Sequence, residues 1–269
     1  IFRAFAFRPG DEYAARPPRV RSLALARSPP IGVSPIPSPP QPTAPPALAI
    51  DALRFEYPGT TASPGFAIHL PALTLAPAEQ VLLTARSGRG KSTLLALIAG
   101  LIDPASGTVE IAGQPIHALH GAARDRFRGR HIGMIFQTFN LLQGFSAAEN
   151  VMAALMFSTL PPREHAPRAR ELLTSLGIER ADVAVERLSV GQQQRVAVAR
   201  ALAPSPTLVL ADEPTASLDP ETAEAAMGLI QSACAARGAA LLCVSHDPSM
   251  SDRFARREAL DAPAAPAFT

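Results

Sequence analysis

The sequence predicts an α/β domain, and three features carry that prediction. Residues 80–84 (QVLLT) form a short, continuous apolar run of the kind buried in a parallel sheet. A loop and then a stretch of helical periodicity, residues 91–101, follow it directly. In the last third of the chain the two patterns alternate: helix 191–202, strand 207–211, helix 220–237 and strand 240–245.

Residues 49–57 and 66–75 alternate apolar and polar side chains, as half-buried antiparallel strands do. After the run at 80–84 and its helix, residues 108–112 and 131–136 are further strands. Residues 138–187 are expected to be mainly helical. Ser146 and Glu149 have the spacing of a capping box, in which each side chain satisfies the other end's backbone amide. That box opens a helix expected at 150–157, and a second is expected at 163–176, closed by Gly177. The outcome is an α/β core interrupted by a helical insert, with no internal repeat.

Composition narrows the function classes. The chain has 269 residues, with 25 basic and 23 acidic side chains, so no cationic surplus marks a nucleic-acid binder. Cys234 and Cys243 are its only cysteines and match no zinc spacing or disulfide framework. The longest apolar run, 94–102, stops at Asp103, too short to span a bilayer. Residues 1–48 differ from the rest, with 12 of the 28 prolines and six arginines against two acids. They are expected to be an extended, disordered Pro/Arg-rich tail, with a targeting peptide or a ligand for a proline-reading domain as the functional readings. Without them the charge falls from +2 by four, to −2. Residues 261–269 are expected to be flexible.

One count stands out. Of the 25 basic residues 24 are arginine, and the single lysine is Lys91. It lies in Ala85-Arg-Ser-Gly-Arg-Gly-Lys-Ser92, between a buried strand and a helix, the context of a phosphate-binding loop. There the backbone amides and the helix N-terminus cradle phosphate, Lys91 reaches the β and γ oxygens, and the Ser92 hydroxyl ligates Mg²⁺. A compact ammonium with three donors suits this cradle, where a planar guanidinium crowds it. Ala85 stands where the usual pattern has glycine. If the backbone there needs positive φ, alanine costs about 1–2 kcal/mol. Further on, strand 208–212 ends in Asp212 and Glu213. The first is placed to hold Mg²⁺ through water, the second to accept a proton from water attacking a γ-phosphate.

With Leu188-Ser-Val-Gly-Gln192 before it, the chain resembles the ATP-binding cassette family, the nucleotide-binding subunits of ABC transporters, from about residue 49 to 246, and the cassette is expected to span residues 49–260. The resemblance implies a P-loop NTPase fold, with a RecA-like core, a short antiparallel β subdomain and a helical subdomain at about 138–187. Residues 85–92 resemble the Walker A loop, so Ala85, Arg86, Ser87, Gly88, Arg89, Gly90, Lys91, Ser92 and Thr93 are its expected ATP-binding residues. Gln137 resembles the Q-loop glutamine, a further Mg²⁺ ligand beside Ser92 and Asp212. Ser189, Val190, Gly191 and Gln192 lie in the signature motif, which in the family caps the ATP of the opposite subunit. Asp212 and Glu213 resemble the Walker B pair, Ser217, Leu218 and Asp219 the D-loop, and His246 the switch histidine. Tyr57, with Phe55 in reserve, stands where the family stacks an aromatic on adenine. The strings FQTFNLL, ENV, QQQRVAVARAL and LADEPT narrow the resemblance to the lipoprotein-releasing, macrolide-exporting and cell-division branch.

The implied function is ATP hydrolysis in a head-to-tail homodimer of cassettes, driving a separate integral membrane permease from the cytoplasmic face of the membrane. Mg²⁺ accompanies ATP, and no nucleic acid is involved. In this scheme Lys91, Gln137, Glu213 and His246 are catalytic. Asn140, Leu141, Leu142 and Phe145 line a groove for a helix of the permease. The rival reading is an ATP-binding scaffold or switch with little hydrolysis; Ala85, and Val190 in place of a signature glycine, favour it. Arg86 and Arg89 add charge beside the triphosphate, which either tightens binding or slows product release. The basic run 124–130 is expected to be a solvated helix face, with His117, His120 and His131 at the surface.

Overall fold

The computed structural model of the chain describes residues 44–57, 66–84, 90–216 and 218–260. Two strands, β1 (Leu48–Tyr57) and β2 (Phe66–Leu75), pair antiparallel, with Leu53 opposite Leu70. Next come β3 (Gln80–Thr84), α1 (Lys91–Ile98), β4 (Ser106–Ile111) and the short β5 (Gln114–Pro115). Then α2 (Gly121–His131) leads into β6 (Ile132–Ile135). The helical insert holds α3 (Ala147–Leu155) and α4 (Pro162–Ser175). After it the chain alternates: α5 (Val190–Leu202), β7 (Leu208–Asp212), α6 (Pro220–Ala235), β8 (Ala240–Ser245) and β9 (Arg256–Ala259).

The strands form two sheets. One is antiparallel, in the order β2-β1-β4-β5; the other is parallel, in the order β6-β7-β8-β3-β9. Alternation along the parallel strands divides the core. Leu82, Val209, Ala211, Leu241 and Cys243 face one cluster with residues of α3, α4, α5 and α6. Val81, Leu83, Leu208, Leu210, Leu242 and Val244 face the other, with α1 and the antiparallel sheet. Every residue of β8 is buried, which is why its pattern is a continuous apolar run. The carboxyl ends of β3, β7 and β8 therefore share one edge of a covered sheet, the edge where such sheets bind ligands.

Helix starts correct two expectations. Ser146 is the N-cap of α3, with both halves of its capping box made, so the helix begins at Ala147 and not at 150. Ser189 likewise caps α5, which begins at Val190. A capping residue fixes the next residue as the first helical one, and the apolar periodicity starts later than the helix does. Strand β9 was not expected. Its RREA sequence has no apolar alternation, but as an edge strand it pairs with β3 only, and Arg256 binds both Glu79 (3.0 Å) and Glu258 (2.8 Å).

The histidines are less superficial than expected. His120 is exposed, but His117 bonds Asp103 Oδ1 (3.1 Å) and the Leu97 carbonyl (3.0 Å). The His131 ring stacks on Phe127 at 4.3 Å and lies 3.2 Å from Thr207 Oγ1, and burial pushes its pKa down. In the basic run, Arg124 and Arg128 turn back to carbonyls of Leu119 and Gly100 while also pairing with Asp103 and Asp125. No residue of α2 is buried, so the solvated face is there, with these two arginines as struts. Among the described residues no group of three His, Cys, Asp or Glu side chains is arranged for a metal, and no helix is long and apolar enough to cross a membrane.

Both cysteines are core. Burial pushes the Cys234 thiol up to about 12 and the Cys243 thiol higher. The thiolate is the reacting species, so neither should react at neutral pH in the folded protein. We expect no labelling by a thiol reagent at pH 7.5 and two labels per chain in urea, counted by mass spectrometry.

Candidate functional site

Three elements bring one cluster together at the carboxyl edge of the parallel sheet. Gly90, at φ 79°, turns the chain into α1, a left-handed conformation that glycine takes without strain. The first helical residue, Lys91, is 8% exposed, and its Nζ lies 3.0 Å from Glu213 Oε1. Glu213 follows the last residue of β7 and is 7% exposed. Its own backbone is left-handed (φ 46°), with its amide on the Val244 carbonyl at 2.9 Å. For a non-glycine residue that conformation costs about 1–2 kcal/mol, and it aims the carboxylate along the end of β8.

At the end of β8, Ser245 Oγ donates to Glu213 Oε2 (3.2 Å), and the His246 amide donates to the same oxygen (3.3 Å). His246 Nδ1 lies 2.6 Å from Oε1, the oxygen that also meets Lys91. Four donors thus converge on one carboxylate. Burial pushes its pKa up, but the hydrogen bonds from His246 and Lys91 and the charge of Lys91 outweigh burial and hold it below the ordinary 4.5. Glu213 is therefore ionised at neutral pH, and an ionised partner makes His246 Nδ1 the donor. Donors that hold the pKa down also weaken the carboxylate as a base, so Glu213 is better suited to take a proton from water once Lys91 is drawn away from it.

Other expected site residues fall as follows. Ser92 is exposed in the first turn of α1 and Thr93 beside it is half-buried. Asp212, the last residue of β7, is half-buried, and Gln137 is exposed two residues past β6. Asp219 is the N-cap of α6, accepting from the Thr222 amide at 3.0 Å, with Leu218 half-buried before it. Ala85, Arg86, Ser87, Gly88, Arg89 and Ser217 lie outside the described residues, as does the side chain of Tyr57, whose backbone ends β1. Phe55, the reserve, packs on the core beneath the antiparallel sheet.

At the head of α5 the Ser189 hydroxyl accepts from the Gln192 amide (3.3 Å) and Gln192 Oε1 accepts from the Ser189 amide (3.0 Å). The hydroxyl keeps its proton to donate elsewhere. Val190 is 54% exposed, and a Cβ added at Gly191 would meet nothing within 4 Å. Nothing among the described residues, then, requires a small residue at the head of α5. Of the groove residues, Leu142 and Phe145 are 43% and 49% exposed, whereas Leu141 is buried in the core, contrary to expectation.

Sequence reasoning missed Ser245, Asn150, Glu186 and Arg200. Ser245 was legible as a lone hydroxyl closing an apolar strand beside His246. Asn150 is fully buried; its side chain accepts from the Leu142 amide (2.7 Å) and donates to the Leu142 carbonyl (3.1 Å). Arg200 donates to the carbonyls of Phe139 and Asn140, and Glu186 accepts from the Gly144 amide. The contacts of Arg200 and Glu186 cross 60, 61 and 42 residues and carry no local signal, whereas those of Asn150 span eight.

Comparison with known proteins gives a consistent result. A family model described as ABC transporter matches residues 69–216. The lipoprotein-releasing system ATP-binding protein LolD of Chromohalobacter salexigens is 43% identical over 184 residues, 68% of this chain and 78% of that protein. Among solved structures, the dimeric, post-hydrolysis ATP-binding cassette MJ0796 bound to ADP and Pi is 33% identical. Its TM-score is 0.67, with 80% of this chain and 94% of that one covered. The structure of cbiO1 from Clostridium perfringens, part of the transporter complex cbiONQ, is 26% identical with a TM-score of 0.64, covering 75% and 79%.

Proposed function

We propose a mechanism for a chain that belongs to the ABC transporter family, as an ATP-binding cassette and ATPase: two copies close on MgATP and drive a separate membrane permease. The observation that carries this reading is the shared Glu213 oxygen, 3.0 Å from Lys91 and 2.6 Å from His246. A γ-phosphate bound at the head of α1 competes with Glu213 for Lys91. Glu213 then keeps His246 and Ser245 as partners and turns its freed capacity to the attacking water. ATP thus arms the base that hydrolyses it. His246 senses the γ-phosphate and holds the transition-state geometry, and preorganised charge supplies most of the rate.

Ser92, Gln137 and Asp212 are the groups that would hold Mg²⁺, the last through water. Their hydroxyl, amide and carboxylate oxygens are the donor set that this hard cation takes. The loop from Ala85 to Arg89, with Gly90 and Thr93, binds the phosphates, and Tyr57 stacks on adenine. Ser217, Leu218 and Asp219 are the D-loop residues.

Support for a sandwich dimer comes from the head of α5. An exposed valine, a glycine whose added Cβ would meet nothing among the described residues, and a serine hydroxyl with a proton to give suit a surface that closes on another subunit's γ-phosphate. The similar solved cassette is itself dimeric. Support for a permease comes from exposed Leu142, Phe145, Met156 and Phe157, large apolar residues that follow Gln137 and the end of α3. Similarity to a lipoprotein-releasing ATP-binding protein favours a permease of the export or lipoprotein-release type, with this subunit on the cytoplasmic face of the membrane.

The test is Phe145→Glu in the complex with the permease. A charge on that face should abolish co-purification and permease-stimulated phosphate release, while ATP-induced pairing of the isolated chain persists. Unchanged assembly and stimulation would remove Phe145 from the interface. A wild-type complex with no turnover at all would sink the hydrolytic reading and leave the scaffold.

A further inference from the structure

We propose that Arg200 is a positioning residue that ties the turn after Gln137 to the helix headed by Ser189. The tie makes the metal-binding glutamine and the surface that caps the opposite nucleotide move as one body. This deepens the sandwich reading above and rests on it.

Phe139 (φ 57°) and Asn140 (φ 48°) are consecutive non-glycine residues in the left-handed region, two and three positions after Gln137. Such a turn persists only where its surroundings fix it. Within the turn the Phe139 amide donates to the Phe136 carbonyl (3.1 Å) and Thr138 Oγ1 to Asn140 Oδ1 (2.8 Å); the tie to α5 is the Arg200 guanidinium, which donates from one nitrogen to the Phe139 carbonyl (2.7 Å) and from another to the Asn140 carbonyl (2.5 Å). Arg200 pairs with no carboxylate among the described residues, and burial pushes its pKa down. A charged, half-buried side chain is thus spent on two backbone oxygens. Two successive carbonyls match the fixed fork of a guanidinium, whereas an ammonium offers one point donor.

Arg200 stands eleven residues after Ser189 on the unbroken α5, a rod of about 16 Å. A second tie lies on the other side of Ser189. Glu186 accepts the Gly144 amide, the Val185 amide donates to the Phe145 carbonyl (3.1 Å), and the Ala147 amide donates to Val183 (3.0 Å). Between these ties, Asn150 holds Leu142 by both its amide and its carbonyl. The segment from Phe139 to Ala147 is therefore gripped on both flanks of Ser189. A push on the apolar face at Leu142 and Phe145 reaches the head of α5 through these bonds. Elements with fixed mutual hydrogen bonds shift together and do not deform independently.

The experiment compares Arg200→Lys and Arg200→Ala with wild type in the full chain, with MgATP and with a fluorescent ADP analogue. ADP binding should stay within about twofold, because the Lys91 side of the site is untouched, while kcat falls by about tenfold or more with KM changed little. Crossed with Gln137→Ala, the loss should be non-additive, the double variant being no slower than the slower single variant. A merely structural arginine gives the opposite pattern: lowered Tm, weakened ADP binding and losses additive with Gln137→Ala. That pattern, or a kcat for Arg200→Lys within about twofold of wild type, overturns the proposal. Should Arg200→Ala fail to fold, the charge-keeping lysine variant still decides. Absence of an ATP-bound dimer in a Glu213→Gln chain would overturn the sandwich reading instead, and the cross with Gln137 separates the two failures.

Discussion

Replacing Lys91 by arginine should leave the chain folded and lower kcat by about 10²–10³-fold, the loss typical of removing one preorganised charge stabiliser from a site. The variant keeps the charge facing Glu213, so the buried carboxylate is not orphaned. Its stability should fall by about 1 kcal/mol or less, a Tm shift of roughly 2–4 °C. The reason for the activity loss is shape. Lys91 is 8% exposed at the head of α1, in a space that admits an ammonium on a flexible stem. A guanidinium is wider, and its fork pairs in a bidentate way with the two oxygens of Glu213. It therefore holds the base that ATP has to free. Phosphate release at saturating MgATP measures the effect, and thermal unfolding supplies the control. Turnover within about threefold of wild type would remove Lys91 from the phosphate site.

How much of this was legible in the sequence depends on the range of the forces involved. Strands β2, β3 and β8 have the bounds that their apolar patterns predicted, because burial on a pleated sheet imprints a period that can be read residue by residue. The cluster on Glu213 was half legible. Lys91 begins α1, Glu213 and His246 each follow the last residue of a strand whose type was clear, and their meeting follows from β3, β7 and β8 being neighbours. Strand order itself is not written locally. Nor is the left-handed backbone of Glu213 and Phe139, which no propensity favours and which tertiary contacts impose; only at Asn140 does the residue type itself tolerate it. Arg200 looked like one arginine among 24 until its carbonyl partners, 60 and 61 residues away, were seen. The lone lysine was the opposite case, conspicuous by composition before any contact was known.

Glu213→Gln should lower turnover by about 10²–10⁴-fold and convert the chain into a species that pairs stably on ATP. Glutamine is nearly isosteric and can still accept from Ser245 and the His246 amide, but it cannot take a proton from water. Its effect on stability should reverse sign with ligand. In the absence of nucleotide, losing the charged contacts to Lys91 and His246 costs roughly 1–3 kcal/mol. With ATP present, Lys91 is no longer shared with a second anion, so phosphate holds it more firmly and the Tm should rise above that of the wild type. The pH dependence gives a second signature. The folded pKa of Glu213 lies below 4.5, so its contribution to stability is complete above 4.5 and is lost as pH falls through that lower folded value. In the glutamine variant this part of the acid dependence should vanish. Size-exclusion chromatography with and without ATP reads the dimer, and unfolding at pH 3 to 7 reads the linkage. A variant that turns over normally would mean that another group activates the water. One that stays monomeric with ATP would mean that the head of α5 does not close on a partner's nucleotide.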